Sequence, residues 1–391
     1  MIDFYKIEDF AIVVTGGTPS TIKKEYWEFG DIPWLNSGEL NQDIIDRTNN
    51  FITKQGLENS AAKLMPPETV LIALTGATTG KIGYLTFEAC ANQSVTGILP
   101  SKKHIPKYLY YYLNSIRQKV LNDAYGGAQP HISQGYVKTI RIPLPLLESQ
   151  KKIAAILDKT DELRQNDKKI LEKYDQLAKS VFMEIFGDPV INDKKWEIIK
   201  FYQLVSDDCP LTYGIVQPGD EFKDGTIIVR PVDLVEKFVS IDGLKKIDPA
   251  ISEKYKRTIL RGNELLLSVR GSVGSISYAT QDLKGANVTR GIVPIWANSS
   301  MTNIDFIYGL FSNHRFKNHL KGLSKGATLI QLNLSDLRDL EVVHPPLELQ
   351  NKFSKIIIDI DRQRQLTQQS MQKSENLFQS LLQRAFRGEL V

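Results

Sequence analysis

The chain has 391 residues, 42% hydrophobic and 24% charged, enough for more than one core and about two to four domains. No apolar run approaches the roughly 18 residues of a membrane span, Asp3, Glu8 and Asp9 stand where a secretory leader carries bases, and Cys90 and Cys209 form no CxxC, so a cytoplasmic protein without membrane association, disulfide framework or zinc ribbon is expected. A net charge of +4 and a pI near 8.7 permit a polyanionic partner without requiring one.

In chain order the pattern predicts a first head over 1–146, a long helix over 147–187, a second head over 188–345 and a second long helix over 346–391. Strand-like runs in the first head lie at 69–74, 97–99 and 139–143; in the second they lie at 225–229, 264–269 and 291–295. Pro143 and Pro145 with Glu148 announce the first helix, and Gly187 with Pro189 ends it. About 40 residues free of Gly and Pro would span roughly 60 Å. Steps of four and three pick out a seam at Ile156, Thr160, Leu163, Asp167, Ile170, Tyr174, Leu177 and Val181. The second helix repeats it with a more polar middle at Ile356, Ile360, Gln363, Thr367, Ser370, Ser374, Leu377 and Leu381. Seams of this kind predict that the two helices pack on each other, antiparallel if the halves are related by a pseudo-twofold axis, with the polar positions fixing register. The alternative is that each helix packs on its own head.

The pattern is a duplication. Pro145, Leu146, Leu147, Glu148 and Gln150 return as Pro345, Pro346, Leu347, Glu348 and Gln350, and the offset of 200 continues through Asp161 and Asp361, Leu177 and Leu377, and Phe186 and Phe386. In the heads a fainter match runs at an offset of 194, joining Gly80 to Gly274, Ile82 to Ile276, Tyr84 to Tyr278, Gly97 to Gly291 and Pro100 to Pro294. Under it Arg230 stands at the place of Asn36, Arg270 at that of Gly76 and Ser275 at that of Lys81. A kept framework with exchanged polar residues predicts two heads of one fold that contact different targets. The fold class is therefore α+β, two pseudo-repeated mixed α/β domains separated by two long helices packed as an antiparallel coiled coil.

Motifs for catalysis are missing. The run from Thr75 to Lys81 imitates a P-loop, but Thr75 sits where its first glycine belongs and Ile82 where a Ser or Thr would ligate magnesium. It reads better as a tight loop that brings amides and hydroxyls, from Thr75, Thr78 and Thr79, with Lys81, to a phosphate backbone. There is no Gly-x-Gly-x-x-Gly, and the five histidines show no metal-ligand spacing, so the chain is expected to be non-catalytic and to bind no cofactor or metal. Ahead of each long helix a Gly-Ala turn is followed by amide and hydroxyl side chains, Gln129, His131 and Ser133 in one half, Gln331 and Asn333 after Lys325 in the other. Asn and Gln suit adenine and Arg suits guanine in the major groove. The candidate DNA-binding residues are thus Thr75, Thr78, Thr79, Lys81, Gln129, His131, Arg230, Arg270, Ser272, Arg290, Lys325, Gln331 and Asn333. Lys138, Arg141, Arg257, Arg261, Arg315, Lys317 and Lys321 are further phosphate candidates. The competing reading is that the loop side chains only cap turns and the charges are solvated.

Two variable heads, each followed by a Pro-Leu-x-Glu-x-Gln helix start, with Gly-Ala turns before them and Phe386, Arg387, Gly388, Glu389 and Leu390 after them, resemble the DNA specificity subunit of type I restriction-modification systems. The resemblance covers essentially the whole chain. It implies that each head is a target recognition domain reading one half of a split double-stranded DNA site while the helices fix the spacer. It also implies two modification subunits, which bind S-adenosylmethionine and methylate adenine N6, and restriction subunits that use ATP and Mg. A helix of roughly 60 Å would bridge about 18 base pairs. The rival reading is a duplicated coiled-coil scaffold or adaptor without sequence-specific DNA recognition.

Overall fold

The structure, a computed structural model, describes residues 3–127, 129–324 and 330–390. The chain divides into two compact units, Met1–Lys168 with Gln369–Val391, and Lys169–Gln368. Each unit owns one head and half of each long helix.

In the first unit a five-stranded sheet runs in the order Val13–Thr15, Val95–Ile98, Val70–Ala73, Ile82–Leu85, Ile44–Ile45, antiparallel except for the last pair. Val70–Ala73 is buried on both faces, which is why it reads as an unbroken apolar run rather than an alternating one. A smaller sheet places Ile32–Leu35 between Phe51–Ile52 and Cys90–Ala91, and Phe4–Lys6 pairs with Arg141–Pro143. The second unit repeats the centre, with Leu265–Ser268 between Ile276–Tyr278 and Ile292–Ile295, and Thr226–Val229 between Lys245–Ile247 and Asn287–Val288. Glu197–Lys200 pairs with Glu341–His344 as the counterpart of the first unit's two-stranded ribbon. The mixed α/β heads and most of the expected strands are therefore present within one or two residues of their predicted limits.

The long helices are Leu147–Phe186 and Leu347–Phe386. The first stops where Gly187 turns left-handed (φ +75°), a conformation that a Cβ disfavours, and the Trp196 indole donates to the freed Phe186 carbonyl at 2.8 Å. Within each unit the two helices run antiparallel. In the first, Arg164 reaches Glu375 (2.8 Å) while Asp167, further along, accepts from Ser374 (2.9 Å). In the second, Arg364 meets Asp175 (3.2 Å) and the Phe353 ring lies 5.2 Å from that of Phe186. Arg164 with Glu375 recurs at an offset of 200 as Arg364 with Asp175, so the duplication carries the pairing with it. Among the described residues no helix is long and apolar enough to cross a membrane.

Three of the eight expected seam positions on the first helix are displaced. Thr160, Asp167, Tyr174 and Val181 are covered, but Leu163, Ile170 and Leu177 are 40–47% exposed, and Arg164, Leu171 and Ala178 take their places. The second helix shifts alike, exposing Leu377 and covering Phe378. The cause is that each helix half packs on two neighbours at once. Ile153, Ala154 and Leu157 join Phe378, Leu382 and Ala385 in one core with the head helix Pro106–Ser115, and Phe182, Phe186, Phe353 and Ile357 do so with Ile304–Ser312. A helix buried on two sides needs a broader stripe than a two-stranded seam supplies. The two packing modes that the sequence set against each other are both present.

The repeated glutamine of the helix start proves to be a suture. Gln150 is buried; its Oε1 accepts from the Ile105 N–H (2.9 Å) at the start of the head helix and its Nε2 donates to the Pro145 carbonyl (2.9 Å). Gln350 does the same with the Asn303 N–H (2.9 Å) and the Pro345 carbonyl (2.8 Å), and accepts also from the Thr302 hydroxyl (2.7 Å). One amide thus satisfies buried donors and an acceptor on two elements.

Candidate nucleic-acid interface

In the first head the turn after Val70–Ala73 is zipped to the turn before the long helix. Thr75 bridges His131, the Gly76 N–H donates to the Pro130 carbonyl (3.1 Å) and the Ile132 N–H to the Leu74 carbonyl (2.9 Å). Gly76 and Gly80 hold φ of +73° and +71°, which lets the loop double back within a few residues. His131 and Tyr125 exchange two backbone bonds and set their rings edge-on at 5.0 Å, closing the loop that carries Gln129. Thr75, Thr78, Thr79, Lys81, Gln129 and His131 are thereby gathered in one place.

They are not equally available. The Thr79 hydroxyl is buried between the Gly76 and Pro130 carbonyls, 2.8 and 2.7 Å away, so its role is to hold the two loops together. The Thr78 hydroxyl lies 3.3 Å from the Thr75 carbonyl, and the Lys81 ammonium is engaged by the Asn41 side chain. Thr75 and His131 are half-buried and Gln129 is exposed.

The second head repeats the zipper. Arg270 bridges Gln331, the Gly271 N–H donates to the Ile330 carbonyl (3.0 Å) and the Leu332 N–H to the Val269 carbonyl (2.9 Å). Arg270 and Arg290 sit on neighbouring backbone, since the Val269 N–H donates to the Gly291 carbonyl at 2.8 Å. The Arg290 guanidinium faces the Tyr213 ring at 6.0 Å, and the Tyr213 hydroxyl accepts from the Leu334 N–H next to Asn333. The Ser272 hydroxyl is 3.3 Å from that of Ser268. Arg230, in contrast, spends its fork on Asp233 (3.0 and 2.7 Å), which raises its pKa further and leaves it a structural clamp. Asn333 donates to Asp336 at 3.2 Å. Lys325 lies outside the described residues.

Strand register corrects the sequence alignment of the heads. Ile82 and Tyr84 occupy the places of Ile276 and Tyr278, as the offset of 194 requires. Ile98 faces Val70 as Ile295 faces Leu265, so Gly97 and Pro100 are not the counterparts of Gly291 and Pro294. Arg270 stands at the place of Thr75, not of Gly76, because Gly76 and Gly271 are the equivalent left-handed donors and the second loop is one residue shorter. Thr79 falls opposite Val273, likewise buried, which agrees with its structural role. The correspondence of Asn36 and Arg230 stands: each precedes a short helical turn and donates its backbone N–H to the acid three residues on, Glu39 or Asp233.

Register also reveals a residue that sequence reasoning missed. The Asn92 N–H donates to the Leu35 carbonyl as Thr289 does to Val229, and Leu74 to Ser94 as Val269 does to Gly291, so Gln93 occupies the place of Arg290. Gln93 is exposed and accepts from the Thr18 hydroxyl. Only strand pairing reveals it, since insertions separate the segments.

Several of the wider set of cations are used internally. Arg315 pairs with Asp188 (2.9 Å), Arg261 stacks on Trp296 (4.0 Å), and Lys317 lies against Gly274, where burial lowers its pKa. Each unit has, besides, an open cleft of about 620 or 690 Å³ between head helix and helix pair. Arg164 lines one, bonded to Asp161 (3.1 Å) and over the Phe378 ring (4.3 Å), and Arg364 with Asp361 lines the other.

A family model described as the type I restriction modification DNA specificity domain matches residues 2–174 and 219–376. The chain is 28% identical over 415 residues to the type I restriction enzyme MjaIX specificity subunit of Methanocaldococcus jannaschii, covering 99% of this chain and 93% of that protein. It is 26% identical over 352 residues to the EcoBI specificity subunit of Escherichia coli, covering 83% and 74%. In fold it is similar to the S subunit of a type I restriction-modification system from M. genitalium, with a TM-score of 0.58 at 15% identity over 98% of this chain and 96% of that one. A chain from a study of complex assembly and conformational transition of the type I R-M system gives 0.59 at 16% over 99% and 98%.

Proposed function

The chain belongs to the type I restriction-modification DNA specificity family, and from that premise we propose that it is the subunit that selects DNA sequence, each head reading one half of a bipartite site. The observation that carries this is the zippered pair of loops, built twice on the same strand register with different side chains at matching places. Arginine at one position and a hydroxyl or amide at its counterpart is how one scaffold would address two different base sequences. Thr75, Thr78, Lys81, Gln129 and His131 form the contact surface of the first head. Arg270, Ser272, Arg290, Gln331 and Asn333 form that of the second; Thr79 holds the first head's two loops together, and Arg230 clamps its own turn through Asp233.

On this reading the chain is non-catalytic and works in the cytoplasm. Two modification subunits dock on the helix pair and methylate adenine N6, a number supported by the repetition of the Asp-Arg cleft at an offset of 200, and restriction subunits join them. S-adenosylmethionine, ATP and Mg belong to those partners. The continuous helices set the spacer between the half-sites.

The test is to purify the chain with its modification subunits, measure binding to duplex DNA against salt, and map methylation in a host genome. A steep fall of affinity with salt together with a split methylated motif is the expected result. Binding with no sequence preference and no split motif would favour the scaffold reading and reject this one.

A further inference from the structure

We propose that the two heads read half-sites of different base type, the second head taking guanine through Arg290 with Arg270 beside it, and the first taking adenine through Gln93. The inference rests on the reading above and adds which residue sets which base.

Arg290 and Gln93 hold one place in the repeated fold, fixed by the backbone bonds that flank them on both sides. Both are exposed. Arg290 forms no ion pair among the described residues, and neither does Arg270, whose Cβ would lie 3.6 Å from a Cβ built on Gly291. Two guanidinium groups on adjacent backbone, with the nearby Asp233 already committed to Arg230, leave donors that only an outside acceptor can satisfy. Tyr213 supports Arg290 from the side and is itself pinned by the Leu334 N–H, so the guanidinium has a backing surface rather than free solvent. The O6 and N7 acceptors of guanine match that fork.

At the same place the first head offers an amide. The Gln93 Oε1 accepts from the Thr18 hydroxyl, and the Nε2 hydrogens are left for an acceptor outside the protein. A carbonyl beside an N–H₂ complements adenine N6 and N7 and mismatches guanine O6. Thr75 replaces Arg270 in this head, so the neighbouring guanidinium groups of the second head have no counterpart here.

Phosphate contact by the arginines is the opposing possibility, and the experiment separates the two. The chain in complex with its modification subunits is prepared as wild type, Arg290→Gln, Arg290→Lys and Gln93→Arg, and each is measured against duplexes carrying single base-pair changes across the motif. Arg290→Gln is expected to lose preference for one G·C pair of the second half by roughly ten- to hundred-fold while the first half is read as before. Gln93→Arg is expected to convert one A·T pair of the first half to G·C. Arg290→Lys retains part of the guanine preference. Equal weakening on every duplex by Arg290→Gln, with all base preferences kept, would mean a phosphate contact and overturn the proposal. So would a wild-type second half without a G·C pair that responds to Arg290. A wild-type complex with no split motif at all would instead overturn the function proposed above.

Discussion

Replacing Gln350 with Met keeps the side-chain volume close to native and removes only its polar chemistry. Three groups then lose their bond to the amide in a site with no solvent exposure at position 350: the Asn303 N–H, the Pro345 carbonyl and the Thr302 hydroxyl, which keeps only a long 3.4 Å contact to the Asn303 carbonyl. At about 1–1.5 kcal/mol for each unsatisfied buried group, the local cost comes to about 4 kcal/mol. The matching Gln150→Met strands the Ile105 N–H and the Pro145 carbonyl in a less enclosed setting, and about 2 kcal/mol is expected. A global melt is the wrong measure, because the chain has two compact units and two-state behaviour does not hold for such proteins. Native-state hydrogen exchange on the helices Ile304–Ser312 and Pro106–Ser115 reads each site separately. Adding Thr302→Val to Gln350→Met removes one stranded group and is expected to return about 1 kcal/mol. Protection of the second head helix unchanged within 1 kcal/mol, or equal losses from the two glutamine variants, would refute the suture.

Two further outcomes follow from the geometry. Burial lowers the pKa of His104 from 6.5 to about 4. The folded state therefore favours the neutral ring, and as pH falls below 6.5 the unfolded chain takes up the proton first, so stability is lost between pH 6.5 and 4 by up to about 3 kcal/mol. His104→Phe, packed against Phe10 as the imidazole is now, is expected to flatten that slope in exchange measurements on the first unit; an unchanged slope counts against it. Inserting one heptad into both long helices, at the unit boundaries near residues 168 and 369, adds roughly 10 Å of helix, or about three base pairs. Methylome mapping is expected to show a spacer longer by that amount between unchanged half-sites, and a constant spacer would reject the helices as its determinant.

What the sequence revealed depended on how local its causes were. The ends of the long helices were legible because Pro143, Pro145 and Gly187 act on their own backbone. The duplication was legible because the helix pair tolerates no insertion, so Arg164 and Arg364 keep their spacing. The covered stripe was partly legible: Asp167 and Tyr174 follow the heptad, whereas Arg164 is covered in place of Leu163 through Glu375 and Phe378, partners about 200 residues away in sequence. The loop residues were found by chemistry, but Thr79 and Arg230 show that a hydroxyl or guanidinium in the right segment can be spent inside the protein. Gln93 was hidden because its equivalence rests on which strands pair, and a three-residue shift, from an offset of 194 at Tyr84 to 197 at Gln93, separates it from the ungapped alignment.

The first head's core contains Phe378, Leu382 and Ala385 beside Tyr108, Leu109 and Ile153. Translation delivers the tyrosine helix more than 250 residues before those last partners leave the ribosome. Until then the nascent domain keeps an apolar wall uncovered, while the second unit, Lys169–Gln368, already has all its pieces. Closure across so large a sequence separation is slow, and the waiting intermediate is the more prone of the two to aggregate.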